Sequence, residues 1–129
     1  MLEASVTIHA PATTTWRLLT DTRAWPDWGP SVRAVDSPAR FIGADTRGQV
    51  QTALGLWLPF RITAWEPDVF WAWSVADIPA TGHRVTPISA TTCKVAFTVP
   101  VWAPLYLPVC HAALRRLDRL ATGKPTKGG

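Results

Sequence analysis

Residues 108–121, PVCHAALRRLDRLA, decide the fold. At about 100° per residue, Leu107, Cys110, Leu114, Leu117 and Ala121 fall on one side of a helix. Val109, Ala113 and Leu120 widen that side, and Arg115, Arg116 and Arg119 crowd the other. A helix this short is marginal alone, so the rest of the chain must cover its apolar face. Every strand signal lies N-terminal to it. The expectation is a sheet wrapped around this helix, with an apolar space between them.

Working back from the helix, residues 92–99 alternate. Cys93, Val95, Phe97 and Val99 face one way, and Lys94, Ala96 and Thr98 the other. With residues 83–88 they bracket a turn at 89–91, a hairpin signal. Residues 77–82 read as a loop. Residues 69–75 carry strong strand formers, with Trp71 and Trp73 on one face. Residues 60–66 set Phe60, Ile62 and Ala64 against Arg61, Thr63 and Trp65. A loop from Gly55 holds Trp57. Strands are expected at 46–54 and 31–35, and a turn or second short helix at 21–30. Residues 13–19 form a short helix opened by Pro11, with Trp16 and Leu19 inward. Residues 4–9 form a strand, with Val6 and Ile8 on its buried face. Consecutive strands with tight turns favour an antiparallel sheet, so the fold class is α+β.

The chain has 129 residues, which is one ordinary domain. That domain is expected over residues 1–122, with a flexible tail at 123–129 after the helix stop at Gly123. Apolar residues make up 47% and charged residues 17%. The charged share is below the roughly 25% of an average soluble domain, which implies extra apolar surface. Eight Trp stand in so short a chain. Bulky rigid indoles line pockets and anchor interfaces.

The net charge of +4 comes mostly from ten scattered Arg, a solvated surface rather than a nucleic-acid patch. Cys93 and Cys110 are too few for a disulfide scaffold and read as buried free thiols. The three His and two Cys lack metal-ligand spacing, and no phosphate loop, GxSxG, HExxH or CxxC is present. No metal and no cofactor are expected. The N-terminal residues lack a signal-peptide pattern. The most apolar run, 95–110, is interrupted by Pro100, Pro104 and Pro108 and is too short to span a bilayer. The expectation is a cytoplasmic protein without stable membrane insertion.

The opening VTIHAPATTTWRLLTDTRAWPDWGP joins a strand, an Ala-Pro break, a Trp-containing helix and Trp25-Pro26-Asp27-Trp28. Ile62, Glu66-Pro67 and Phe70-Trp71-Ala72-Trp73 follow as strand, turn and aromatic strand. Thr91-Thr92 leads into CKVAFTV. These residues resemble the START-like (SRPBCC) helix-grip superfamily, specifically its polyketide cyclase/dehydrase-type members, over residues 4–121. The resemblance implies a curved antiparallel sheet gripping the C-terminal helix around a cavity for an apolar ligand. The three prolines before the last helix depart from the family pattern.

Three functions follow. The first is binding of a small hydrophobic molecule (a lipid, polyketide or aromatic metabolite) in a Trp-lined cavity. Trp28, Trp57, Trp71, Trp73 and Trp102 are the candidate lining, with Phe60, Tyr106, Leu107 and Leu114. The second is polyketide cyclisation or dehydration in the same cavity, with His83 or His111 moving the proton. Arg61, Arg84 or Tyr106 would then hold a ligand oxygen. The alternation of their strands puts both arginines on the outer face unless a bulge changes the register. The third is a protein-interaction module with a closed cavity, for which a homodimer burying Trp57 or Trp102 is the expected arrangement.

Overall fold

The computed structural model describes residues 2–123. The remainder of the expected tail, residues 124–129, lies outside the described residues. Strand β1 (Leu2–Ile8) leads through Pro11 into helix α1 (Ala12–Thr20) and the single turn α2 (Trp25–Trp28). Six strands follow: β2 (Val32–Asp36), β3 (Arg47–Thr52), β4 (Trp57–Glu66), β5 (Phe70–Val75), β6 (Ile78–Ser89) and β7 (Thr92–Val99). A 3-10 turn (Pro104–Tyr106) opens onto α3 (Leu107–Thr122). Among the described residues the strands form one sheet in the order β1-β7-β6-β5-β4-β3-β2. Every pairing is antiparallel. This is the α+β helix-grip arrangement, with the two short helices after the first strand.

Helix α3 lies against β1, α1, α2 and β7. Cys110, Ala113, Leu114 and Leu117 are its buried residues, at the i, i+3, i+4, i+7 spacing of one helical face. Leu107 and Ala121 are half-buried at its ends, while Leu120, expected to widen the buried face, is 39% exposed. The three prolines do not disturb the helix. Pro104 opens the 3-10 turn, and Pro108 sits in the first turn of α3, where its missing N–H costs nothing. Gly123 takes φ +69° and its N–H reaches the Arg119 carbonyl, ending the helix where a residue with a Cβ would be strained.

Two expected details are corrected. Residues 77–82, expected as a loop, belong mostly to β6. The chain reverses at Ala76-Asp77, both at positive φ (52° and 63°), so Val75 pairs with Ile78 and Ser74 with Pro79. Positive φ at both central positions is the geometry of a tight hairpin turn, usually signalled by Asn-Gly. Ala-Asp carries no such signal, and Pro79 argues against a strand. Second, the alternation in β4 breaks. A register shift between Ile62 and Ala64 leaves Ala64 exposed and turns Trp65 toward the core, 5.5 Å from Trp16. Such a bulge bends a strand and sharpens its twist, which curves the sheet around the helix. A further irregularity in β5–β6 pairing lies between Ala72 and Ser74. No helix among the described residues is long and apolar enough to cross a membrane.

Candidate functional site

The α1–α2 unit is fastened first. The last carbonyls of a helix lack intrahelical partners. Here the Trp25 indole N–H donates to the Leu19 carbonyl (2.9 Å) and the Trp28 indole N–H to the Leu18 carbonyl (3.1 Å). Both indoles thereby enter the core with their polar atoms satisfied. Trp25 stacks on Trp71 at 5.5 Å and meets Phe60 and Trp73 edge-on. Trp71 in turn stacks on the His83 imidazole, with centroids 3.9 Å apart. The Trp71 indole N–H is buried without an acceptor among the described residues.

A chain of hydrogen bonds runs beside this aromatic cluster. The Trp73 indole N–H donates to Thr81 Oγ1 (3.0 Å), which lies 2.9 Å from His83 Nε2. His83 Nδ1 lies 3.2 Å from the Trp71 carbonyl. A carbonyl oxygen only accepts, so Nδ1 carries the hydrogen. The Thr81 hydroxyl then donates to Nε2, and every ring nitrogen is satisfied in the neutral imidazole. Burial pushes the His83 pKa down to about 3, against a smaller opposing effect of the Trp71 carbonyl. His83 is therefore a fixed, uncharged part of the wall at neutral pH.

Two adjacent recesses open on the inner side of the sheet, the inner one against α2 and α3 and the outer one against the β7–α3 connection. The inner one is a throat of about 30 Å³, room for a single water. Trp28, Trp71, Trp73, His83, Phe97 and Tyr106 are among its walls, with Val109, Cys110 and Ala113 of α3. The outer one is a mouth of about 430 Å³. Val50, Val75, Val99 and Trp102 line it, together with Thr52–Leu54 of the β3–β4 turn and Ile78–Thr81 of β6. Ser31, Val32, Trp73, Thr81 and Tyr106 border both spaces. At this neck the Ser31 and Tyr106 hydroxyls are 2.6 Å apart. Burial raises the Tyr106 pKa, partly offset by the Ser31 hydrogen bond, so the phenol stays protonated. Burial also pushes the Cys110 thiol up to about 11. The loops around the mouth, residues 52–57, 76–79 and 100–107, carry a single charged residue, Asp77. Leu54, Trp102 and Leu105 project from them into solvent.

The residues singled out in the sequence are thus divided. Trp28, Trp71, Trp73, Tyr106 and His83 meet around the throat, and Trp102 flanks the mouth. Phe60 and Leu114 are buried in the core and line neither recess, and Leu107 is half-buried in the first turn of α3. Trp57 is exposed, on the same side of β4 as Arg61. Arg61 is exposed and directly opposite Arg47 across the strands. Arg84 is also outside, 3.9 Å from Glu66 and 4.8 Å over the Phe70 ring. His111 is exposed on α3 and touches neither recess. Three contributors are not singled out by the sequence pattern: Trp25, Thr81 and Ser31. Trp25 carries a signal, the paired Trp of WPDW beside a helix end. Thr81 sits in the stretch expected as a loop, and Ser31 meets its partner 75 residues away. Among the described residues no cluster of three His, Cys, Asp or Glu side chains is placed to hold a metal ion.

Solved structures with this architecture span several activities. The aromatase/cyclase ZhuI from Streptomyces sp. R1128 is 14% identical with a TM-score of 0.73, over 99% of this chain and 96% of that one. The protein XoxI from Bacillus cereus is 15% identical with a TM-score of 0.72, over 94% of each chain. Norcoclaurine synthase from Thalictrum flavum is 12% identical with a TM-score of 0.61, over 98% of this chain and 88% of that one. At such identities the likeness shows the fold. A comparison with curated proteins finds no significant match. The sequence pattern of the family described as "Polyketide cyclase / dehydrase and lipid transport" matches residues 1–122. With the helix-grip fold, that match places the chain in the polyketide cyclase/dehydrase and lipid transport family of the START-like superfamily.

Proposed function

We propose that this protein binds a small hydrophobic molecule in the recess between the sheet and the segment that enters α3. The observation that carries this reading is the mouth of about 430 Å³, lined mostly by apolar side chains and sharing five lining residues with the Trp-lined throat. That volume lies toward the lower end of the roughly 300–1,000 Å³ typical of small-molecule sites. Leu54, Trp102 and Leu105 at the rim would be the first surface an apolar ligand meets. Burial of apolar area, at roughly 25 cal/mol per Å², supplies the affinity. The family description, which includes lipid transport, supports the same reading. The test is titration with fatty acids, flat polycyclic aromatics and a steroid, followed by tryptophan fluorescence. Trp73 borders both recesses, so saturable quenching that Trp73→Ala weakens without unfolding the domain is the expected result. No saturable response from any class would overturn the reading.

A second reading is cyclisation or dehydration of a polyketide, which the likeness to an aromatase/cyclase and the hydroxyl pair at the neck favour. In it the Tyr106 phenol would donate to an enolate oxygen. His83 is a poor acid or base here, because its Nε2 lone pair is engaged and its ring resists protonation. Turnover that survives His83→Gln but not Tyr106→Phe would support this form of the mechanism. The closed-cavity interaction module has less support, since the mouth is open.

A further inference from the structure

We infer that the cavity selects uncharged ligands that carry an oxygen at the neck, and rejects carboxylates and other anions. This rests on the binding reading above and names the class of molecule it admits.

The first support is what the walls lack. Among the described residues, neither recess has an Asp, Glu, Lys or Arg in its lining, although the chain holds ten Arg. Arg61 and Arg84, the natural partners for a carboxylate, are exposed on the far side of the sheet. An ion taken into such a space loses its hydration and finds no countercharge, which is costly. Among the described residues, the ionisable groups that face the space are His83, Tyr106 and Cys110. Burial holds each in its neutral form, against the smaller opposing effects of the Trp71 carbonyl on His83 and of Ser31 on Tyr106. The N-terminus of α3 borders the throat, and three of its first residues have no free N–H to offer an anion. The Tyr106 and Leu107 N–H groups are taken by the Ala103 and Pro104 carbonyls, and Pro108 has none.

The second support is what the neck contains. Ser31 and Tyr106 bring two hydroxyl hydrogens to one contact. One hydrogen lies between the two oxygens, and the other remains free to donate. A ligand carbonyl or hydroxyl oxygen placed at the neck accepts it, with the apolar body of the ligand in the mouth. The same site gives a carboxylate one hydrogen bond in place of its full hydration shell.

Matched probes test this: 2-acetylnaphthalene against 2-naphthoate, and 1-dodecanol against dodecanoate. Binding is measured by calorimetry at pH 7.5, where both acids are ionised. The expected result is saturable binding of the neutral member of at least one pair, with its carboxylate at least tenfold weaker. The double variant Ser31→Ala/Tyr106→Phe, which removes both hydroxyl hydrogens, should weaken the neutral member about two- to tenfold, the worth of one hydrogen bond. Either single variant leaves one hydroxyl with a hydrogen to donate and should bind the neutral member nearly as well. A carboxylate that binds as tightly as its neutral partner overturns the selectivity and leaves the binding reading intact. Unchanged affinity in the double variant overturns the role of the hydroxyl pair. Binding by no member of either pair overturns the binding reading and the selectivity with it.

Discussion

His83 makes a contribution to the acid stability of this fold that can be isolated. In the native state its pKa is about 3, against an ordinary value of 6.5. Between those values the unfolded chain binds a proton that the folded chain refuses. Unfolding therefore takes up protons, and stability must fall as pH falls through this window. One pKa unit corresponds to about 1.4 kcal/mol, so the drop from pH 7.5 to pH 4.5 should be about 2–3 kcal/mol from this one residue. The ring is 2% exposed, so solvent screening does not dilute the effect. The assay is urea unfolding followed by tryptophan fluorescence at pH 7.5, 5.5 and 4.5, for the native protein and for His83→Gln. The variant starts lower, having lost the stack on Trp71 and the contact with Phe97 at 4.7 Å. Its loss between pH 7.5 and 4.5 should nevertheless be smaller than that of the native protein by about 2–3 kcal/mol. Other groups titrate alike in both proteins and cancel. Parallel pH dependences within about 0.5 kcal/mol would refute the neutral, buried assignment. So would a His83 ring resonance that titrates with a midpoint near 6.

Trp25→Ala should cost about 3–5 kcal/mol by emptying the centre of the aromatic cluster and freeing the Leu19 carbonyl, measured as a fall in the urea midpoint. Gly82→Ala should cost about 1–3 kcal/mol, since its Cβ would stand 2.5 Å from Thr98 Oγ1 and 2.9 Å from the Phe70 ring; unchanged thermal stability would refute that crowding. Cys110 should resist iodoacetamide at pH 8 in the folded protein and react once urea unfolds it, because burial holds its pKa at about 11 and leaves the thiolate scarce. Mass spectrometry of the alkylated chain reads this directly.

Elements whose periodicity is unbroken are legible in the sequence. The faces of α3 and β7 follow from spacing alone, because each buries one regular stripe against a single layer. What escapes are positions where a non-local contact overrides a local rule. The bulge after Ile62 reverses the facing of Trp65, and nothing in RITAWE marks it. The turn at Ala76-Asp77 uses positive φ without glycine, so β6 begins earlier than its composition suggests. The same limit applies to the site. Indoles near the cavity are visible as a surplus of Trp. The polar groups that organise it, Ser31 and Thr81, have meaning only through partners brought by the fold. His111 shows the converse: a place at the edge of an apolar arc is compatible with either face, and the packing of α3 leaves it in solvent.

The pairing of β1 with β7 sets an order for the molecule's assembly. Leu2 finds Val99 and Ile8 finds Cys93, so the earliest strand of this sheet to leave the ribosome meets its sheet partner about ninety residues later. At roughly 5–20 residues per second, that is a wait of roughly 5–18 s. The helix that covers β1 is made later still. Ala4, Val6 and Ile8 stay uncovered through this interval, while the hairpins from β3 to β7 close among neighbours. Glu3, Ser5 and Thr7 alternate with them and keep the waiting strand from being apolar on both sides, which lowers its tendency to pair with another nascent chain.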